Sequence, residues 1–300
     1  MTISKPLPET FLLESAGDPK IFTQTWAGSL GSLPGDTSRE LLIIHGMGEH
    51  SSRYDSVIEG LGSSFNRIVA FDLRGHGRSS GIRGHVDSFD DFLSDVGRVL
   101  RWMKESSKGK KQNVFLYAHS MGSLIGLRFL QKFAGQFPEL KAAVLSSPIL
   151  GIRLAVPKWK TLAAKVLVRT LDRLQLSNEI NPSYISHDSR VVADYVKDRL
   201  VHNKCTPRLY FELLKAHEDV YKDAVIPIPV LFLVPMADEL VDAEKALSFI
   251  EDQLGKVSSK KQFTVQKYPG FYHEAHHEIK KDQVFRDVRN WMEQSGGGLI

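Results

Sequence analysis

The chain of 300 residues carries a single cysteine, Cys205, so it cannot form an internal disulfide. That excludes small scaffolds held together by disulfides and suits a reducing compartment. No catalytic-looking turn surrounds Cys205, which reads as a packing residue rather than a nucleophile. No apolar run reaches the roughly 18 residues that a membrane-crossing helix needs. The opening residues, Met1 to Pro8, lack the apolar centre of a secretory leader. The expectation is a cytoplasmic protein that at most touches a membrane surface. Nor does the chain contain a module in which basic residues alternate with stacking aromatics, despite a formal charge of +4. Nucleic acid is therefore not an expected partner. Internal repeats are also absent, and nothing in the sequence fixes an oligomeric state.

What is present is enough apolar material, 42% of residues, for one sizeable core. Strand-like runs fall near 21–26, 40–45, 67–72, 113–118, 141–146, 230–234 and 262–267, and most are separated by helical patterns. The segment from Phe89 to Met103 is one such helix, and a final helix is expected from near His277 to Met292. Strands alternating with helices predict an α/β fold with a mainly parallel sheet covered on both faces. The alternation stops between Pro148 and about Asp223 and then resumes. Residues 148–223 are expected to form a helical cap inserted into a core made of 1–147 and 224–300, with a flexible tail at 295–300. The first cap helix, Trp159 to Leu174, places Trp159, Leu162, Ala163, Val166, Leu167, Leu171 and Leu174 on one stripe. Lys158, Lys165, Arg169 and Arg173 flank it. Such a helix can pack on a core or rest on an anionic bilayer.

The sharpest local feature is Asn113-Val-Phe-Leu-Tyr-Ala-His-Ser120-Met-Gly122. An apolar run breaks abruptly at a serine between small residues, and helical spacing follows at Leu124, Ile125, Leu127 and Phe129. A strand turning at once into a helix thrusts the serine hydroxyl out and points helix N–H groups at any charge forming beside it. The pattern is Gly-x-Ser-x-Gly with Ala118 at the first position. Its partners should follow in the order acid, then histidine. Asp238 comes after the run Pro229 to Val234, and His273 after Gln262 to Lys267, each a few residues beyond a strand's end. Asp242 fits better as the cap of the following helix. The glycine-rich turn His45-Gly-Met-Gly48, after Glu40 to Ile44, can offer a backbone N–H. Ser120, Asp238 and His273 are therefore the expected catalytic group, with the N–H groups of Met47 and Met121 as the oxyanion hole. His76 precedes the serine and is expected to brace its turn together with Asp72 and Arg74.

The runs His45-Gly-Met-Gly-Glu-His50 with Arg53-Tyr54, Phe71-Asp-Leu-Arg-Gly-His-Gly-Arg-Ser79, Gly81-Ile-Arg-Gly84, His119-Ser-Met-Gly122, Ile185 to Val192 and Tyr268-Pro-Gly-Phe-Tyr-His273 carry a family likeness. Together they resemble the monoacylglycerol lipase and lysophospholipase branch of the α/β-hydrolases, from about residue 10 to 293. Ala118 and Ser123 depart from the branch at the elbow. The resemblance implies a serine ester hydrolase acting on monoacylglycerol or lysophospholipid through an acyl-enzyme, without metal or organic cofactor. Alternatives are an esterase for small soluble esters and an α/β-hydrolase fold that only binds. A further rival is His273-Glu274-Ala275-His276-His277, which satisfies the zinc-hydrolase pattern His-Glu-x-x-His. That chemistry needs both histidines one turn apart on a helix, and Pro269 and Gly270 argue against one there.

Overall fold

The computed structural model describes residues 7–33, 36–151, 168–222, 226–254 and 262–295. Its centre is an eight-stranded sheet in the order β1-β2-β4-β3-β5-β6-β9-β10. The strands are β1 (Glu9–Leu13), β2 (Ile21–Ala27), β3 (Thr37–Ile44), β4 (Arg67–Phe71), β5 (Lys111–His119), β6 (Leu140–Ser146), β9 (Val230–Pro235) and β10 (Phe263–Tyr268). Pairings from β4 onward in that order are parallel, while β1 with β2 and β2 with β4 are antiparallel. The central parallel strands are nearly continuous runs of buried residues, such as Leu41 to Ile44 and Val114 to Ala118, because helices cover both faces, whereas the edge strand β10 is only partly buried.

Helices α1 (Asp55–Leu61) and α7 (Lys281–Ser295) pack on one face, where Val57, Leu61, Val284 and Val288 meet Leu41, Ile43 and Phe115. On the other lie α2 (Phe89–Ser106), α3 (Met121–Phe133) and α6 (Ala243–Leu254), with Phe92, Val96, Ile125 and Phe249 against Leu42, Leu116 and Phe232. Ser88 starts α2 with a capping box: its side chain accepts from the first turn and Asp91 reaches back to the Ser88 N–H. Between β6 and β9 the described chain contains β7 (Leu176–Ser177), α4 (Ser189–Lys197), β8 (Lys204–Cys205) and α5 (Pro207–Lys222).

Three differences from the sequence reading have physical causes. Strand β1 carries no alternating pattern because it is an exposed edge strand, held by β2 and by Phe11 against Trp102 at 4.9 Å. The span 148–223, read as free of strands, holds the two-residue antiparallel pair of β7 and β8, too short to leave a periodic signal. The final helix begins at Lys281 rather than near His277, because the chain turns once at Ala275–His277 and is extended at Glu278. The stripe predicted over Trp159 to Leu174 lies mostly in 152–167, outside the described residues, as does the tail beyond Ser295.

Candidate active site

Strand β5 sits near the middle of the sheet, and its end is where the chain reverses into α3. Ser120 stands in that reversal at φ +53, a left-handed conformation that a side chain adopts only when its surroundings enforce it. Two neighbours enforce it here. The Ser120 N–H donates to the Ser146 carbonyl at 2.9 Å, and the Ser120 carbonyl accepts from Ser123 N–H at 2.9 Å. Gly122 passes so close to β3 that a Cβ there would lie 2.4 Å from the Ile44 carbonyl oxygen. Ala118 is fully buried in the core. Ser123 is buried too, and its hydroxyl lies 2.9 Å from the Ala118 carbonyl and 2.8 Å from that of Ser146. Both departures from the family pattern thus fit the elbow as it is built.

The structure brings Ser120, Asp238 and His273 together from the ends of β5, β9 and β10. The Ser120 hydroxyl lies 2.8 Å from His273 Nε2, and His273 Nδ1 lies 2.7 Å from Asp238 Oδ2. With Nδ1–H donating to the carboxylate, Nε2 is left to accept the serine proton. Asp238 is buried, and its Oδ1 accepts from the N–H groups of Leu240 and Val241 at 2.8 and 3.0 Å. Burial pushes the His273 pKa down, but the Asp238 charge and hydrogen bond outweigh it and leave it above the usual histidine value. Asp242 is elsewhere: its side chain accepts from Lys245 N–H at 3.2 Å at the start of α6.

Met47 lines the pocket with Ser120 and His273, and Met121 opens α3 directly after the serine. The remaining wall consists of Gly46, Glu49, His119, Ile180, Ile185, Tyr195, Leu240 and Glu274 around a cavity of about 30 Å³. Ile180, Ile185 and Tyr195 come from the chain between β6 and β9, so that stretch covers the site. It is tied to the turn before α1 by His202 N–H donating to the Gly48 carbonyl at 2.8 Å and by His50 Nε2 at 2.8 Å from Asp198.

A buried charged group that the motif reading did not single out supports this pocket from below. Arg53 donates to both oxygens of Glu274 at 2.8 Å and to Glu49 Oε2 at 2.5 Å. Glu49 Oε1 accepts from Gly46 N–H at 2.6 Å and from the Tyr54 hydroxyl at 2.8 Å. Burial alone would raise the Glu274 pKa, but the Arg53 charge holds it well below the usual carboxylate range. The signal was the run from His45 to Tyr54, whose spacing says nothing about charges meeting a residue more than 200 positions away.

His76 is fully buried, with Nδ1 3.0 Å from the Arg74 carbonyl, and Arg74 forks onto Asp95 at 2.6 and 2.8 Å. Asp72 accepts from Ser51 and from Arg78 N–H. Cys205 is half-buried, and desolvation pushes its thiol pKa up to about 12, which favours the protonated thiol.

The zinc pattern does not assemble. His273 and His277 share no helix, and His273 is engaged by Ser120 and Asp238. Among the described residues Glu274, His276 and His277 offer ligand atoms within 4.8 Å of one another. The Arg53 guanidinium already occupies both oxygens of that glutamate, placing a fixed positive charge where a cation would have to sit.

A mainly parallel sheet with a strained serine elbow, a buried histidine and a buried aspartate at the ends of three of its strands defines a serine hydrolase of the α/β-hydrolase fold. A family model described as Serine aminopeptidase, S33 matches residues 35–280, and the chain belongs to that family. It is 32% identical to the monoglyceride lipase of Homo sapiens, over 94% of this chain and 89% of that one. It is 30% identical to the phospholipase YtpA of Bacillus subtilis, over 85% of this chain and 95% of that one. It spans 26% of a longer Dictyostelium discoideum relative, an uncharacterized abhydrolase domain-containing protein, at 30% identity. Among solved structures, the monoacylglycerol lipase of Paleococcus ferrophilus superposes with a TM-score of 0.77 at 27% identity. That match covers 92% of this chain and 99% of the other.

Proposed function

We propose that the protein hydrolyses monoacyl lipid esters, monoacylglycerol or lysophospholipid, with Ser120 as nucleophile, His273 as base and Asp238 as the group that orients it. The observation carrying this reading is the continuous chain of hydrogen bonds from Ser120 through His273 to Asp238. The lipid preference is supported by the relatives named monoglyceride lipase and phospholipase. The Ser120 oxygen attacks the ester carbonyl carbon while its proton passes to His273 Nε2, and Asp238 stabilises the resulting imidazolium. The carbonyl electron pair moves onto oxygen, facing the backbone N–H groups of Met47 and Met121. As the acyl carbon–oxygen bond breaks, His273 returns the proton to the departing alcohol. Water, deprotonated by His273, then attacks the acyl-enzyme and releases the fatty acid.

Residues 148–223 act in this reading as a cap whose Ile180 and Ile185 meet the acyl chain beside Met47 and Leu240. Surface contact with a bilayer is part of the same proposal. Leu171, Leu174 and Leu176 are 54%, 42% and 42% exposed, with the exposed Arg173 among them. Apolar side chains beside a cation suit an anionic lipid surface. Among the described residues, no helix is long and apolar enough to cross a membrane.

One observation favours a second reading, esterase action on small soluble esters: the cavity beside Ser120 is only about 30 Å³, far below the roughly 300–1,000 Å³ of ordinary ligand pockets. The test is fluorophosphonate labelling, followed by a panel of glycerol, lysophospholipid and p-nitrophenyl esters of varied chain length. The expected result is stoichiometric labelling of Ser120, lost with all esterase activity in Ser120→Ala, and a preference for long monoacyl chains. Full activity in Ser120→Ala would refute the mechanism, and a short-ester preference would select the second reading.

A further inference from the structure

The loop carrying His273 does not end at the reacting atoms. Five residues later Glu278, whose side chain is only 4% exposed, turns back under the loop. Its Oε1 accepts from the Tyr272 N–H at 2.8 Å and lies 2.8 Å from His187 Nδ1. Its Oε2 accepts from the N–H groups of Ile279 and His187 at 3.3 and 3.4 Å. The Tyr272 ring stacks on that of His187 with centroids 3.6 Å apart and planes 22° from parallel. Glu278 thus grips the N–H of the residue immediately before the base with the same oxygen that holds the chain covering the pocket.

The two stretches are joined along their length. His273 N–H donates to the Tyr184 carbonyl at 3.3 Å and Glu274 N–H to that of Ile185 at 2.8 Å. The Ser186 hydroxyl donates to the His277 carbonyl at 2.9 Å. Ile185 lines the pocket beside His273, so the wall that would meet substrate is hydrogen-bonded to the loop of the base. Removing a carboxylate from water is costly unless its oxygens are satisfied. Here the satisfying donors are mostly backbone N–H groups from two segments about 90 residues apart in sequence. Arg190 and Lys281 line the outer cavity next to Glu278 and His187 but are not its hydrogen-bond partners.

We propose that Glu278 is a positioning residue, which sets His273 through the Tyr272 peptide and seats the pocket wall through His187. One carboxylate then serves both the base, through Tyr272, and the wall, through His187. The proposal rests on the reading of Ser120 and His273 given above. A displacement of the base by an ångström or so costs about 10²-fold in turnover, which sets the size of the expected effect.

The test compares Glu278→Ala, Glu278→Gln and His187→Phe with the wild-type enzyme after near-ultraviolet circular dichroism confirms folding. Each is assayed for kcat and KM on a short p-nitrophenyl ester and on a long-chain monoacyl ester. The low-field proton resonance of the His273 Nδ1–H bonded to Asp238 is recorded beside them. Glu278→Ala should lose about 10²-fold in short-ester kcat with little change in KM and should broaden or shift that resonance. Glu278→Gln should restore part of the loss, because an amide oxygen can still accept from Tyr272. His187→Phe keeps the stacking surface, so short-ester kcat and the resonance should stay as in wild type while KM for the long-chain ester changes. A folded Glu278→Ala with wild-type kcat and resonance would overturn the proposal. If the alanine variant does not fold, the glutamine variant decides: lowered kcat at unmoved KM sustains the proposal and unchanged kcat overturns it. A wild-type enzyme that fluorophosphonate does not label at Ser120 would instead refute the underlying mechanism.

Discussion

Arg53 and Glu274 form a two-pronged pair at 2.8 Å on each arm, one residue beyond the histidine that faces Ser120. The pair is buried and shares its guanidinium with Glu49. Replacing Arg53 by leucine would leave two carboxylates without their counter-charge in a region closed to water. Breaking such a pair from one side costs about 3–5 kcal/mol. The urea midpoint of Arg53→Leu should fall by that equivalent. A midpoint within error of wild type would mean that the cluster contributes nothing to stability.

The choice of acid can be checked directly. Asp238→Asn should lower turnover by about 10⁴-fold, because an amide favours the wrong imidazole tautomer. Asp242→Asn should be nearly silent in activity and cost no more than about 0.5 kcal/mol, since asparagine caps a helix about as well as aspartate. Steady-state kinetics of the two variants decide the matter. A crippled Asp242→Asn beside a normal Asp238→Asn would show that the acid is misassigned.

The pH dependence has a definite sign. In the proposed mechanism His273 works as a neutral base, and its pKa is raised because the Asp238 charge outweighs burial. Short-ester kcat/KM should therefore rise with pH through a midpoint above the ordinary histidine value of about 6.5 and fall away below it. In Asp238→Asn the carboxylate is gone and burial remains, so the midpoint should move to lower pH. An acid limb unmoved by that substitution would assign the titration to another group.

Surface contact can be separated from catalysis at Leu171 and Leu174, which are exposed and outside the pocket wall. Fully inserting a leucine gains at least about 1.5 kcal/mol, so the double change to serine should weaken binding to anionic vesicles by about 10²-fold. Short-ester kcat should not change. Sedimentation with vesicles measures the first quantity and a colorimetric assay the second. Unaltered vesicle binding would place any membrane contact elsewhere on the molecule.

The central sheet was legible because its strands are short apolar runs broken by turns, and their limits agree with the structure to within a few residues. That Ser120, Asp238 and His273 would meet was legible because chain order and strand-end placement constrain them together. The edge strand β1 was not, since an exposed strand owes its form to its partner rather than to an alternating pattern. Arg53 was visible only as part of a family likeness, because its partners Glu49 and Glu274 meet by tertiary folding. The start of the last helix was misplaced for a similar reason. Glu278 is committed to Tyr272 and His187, which holds the backbone extended where helical spacing alone would continue.

His273 follows β10, which among the described residues pairs with β9 alone at one edge of the sheet. Ser120 and its elbow belong to strands that can pair much earlier in synthesis, whereas His273 cannot arrive until residues 263–268 have left the ribosome and found β9. On the proposed mechanism, a chain in which β10 has not yet paired with β9 holds Ser120 without its base, so the last strand to join the sheet is also the one that completes the site.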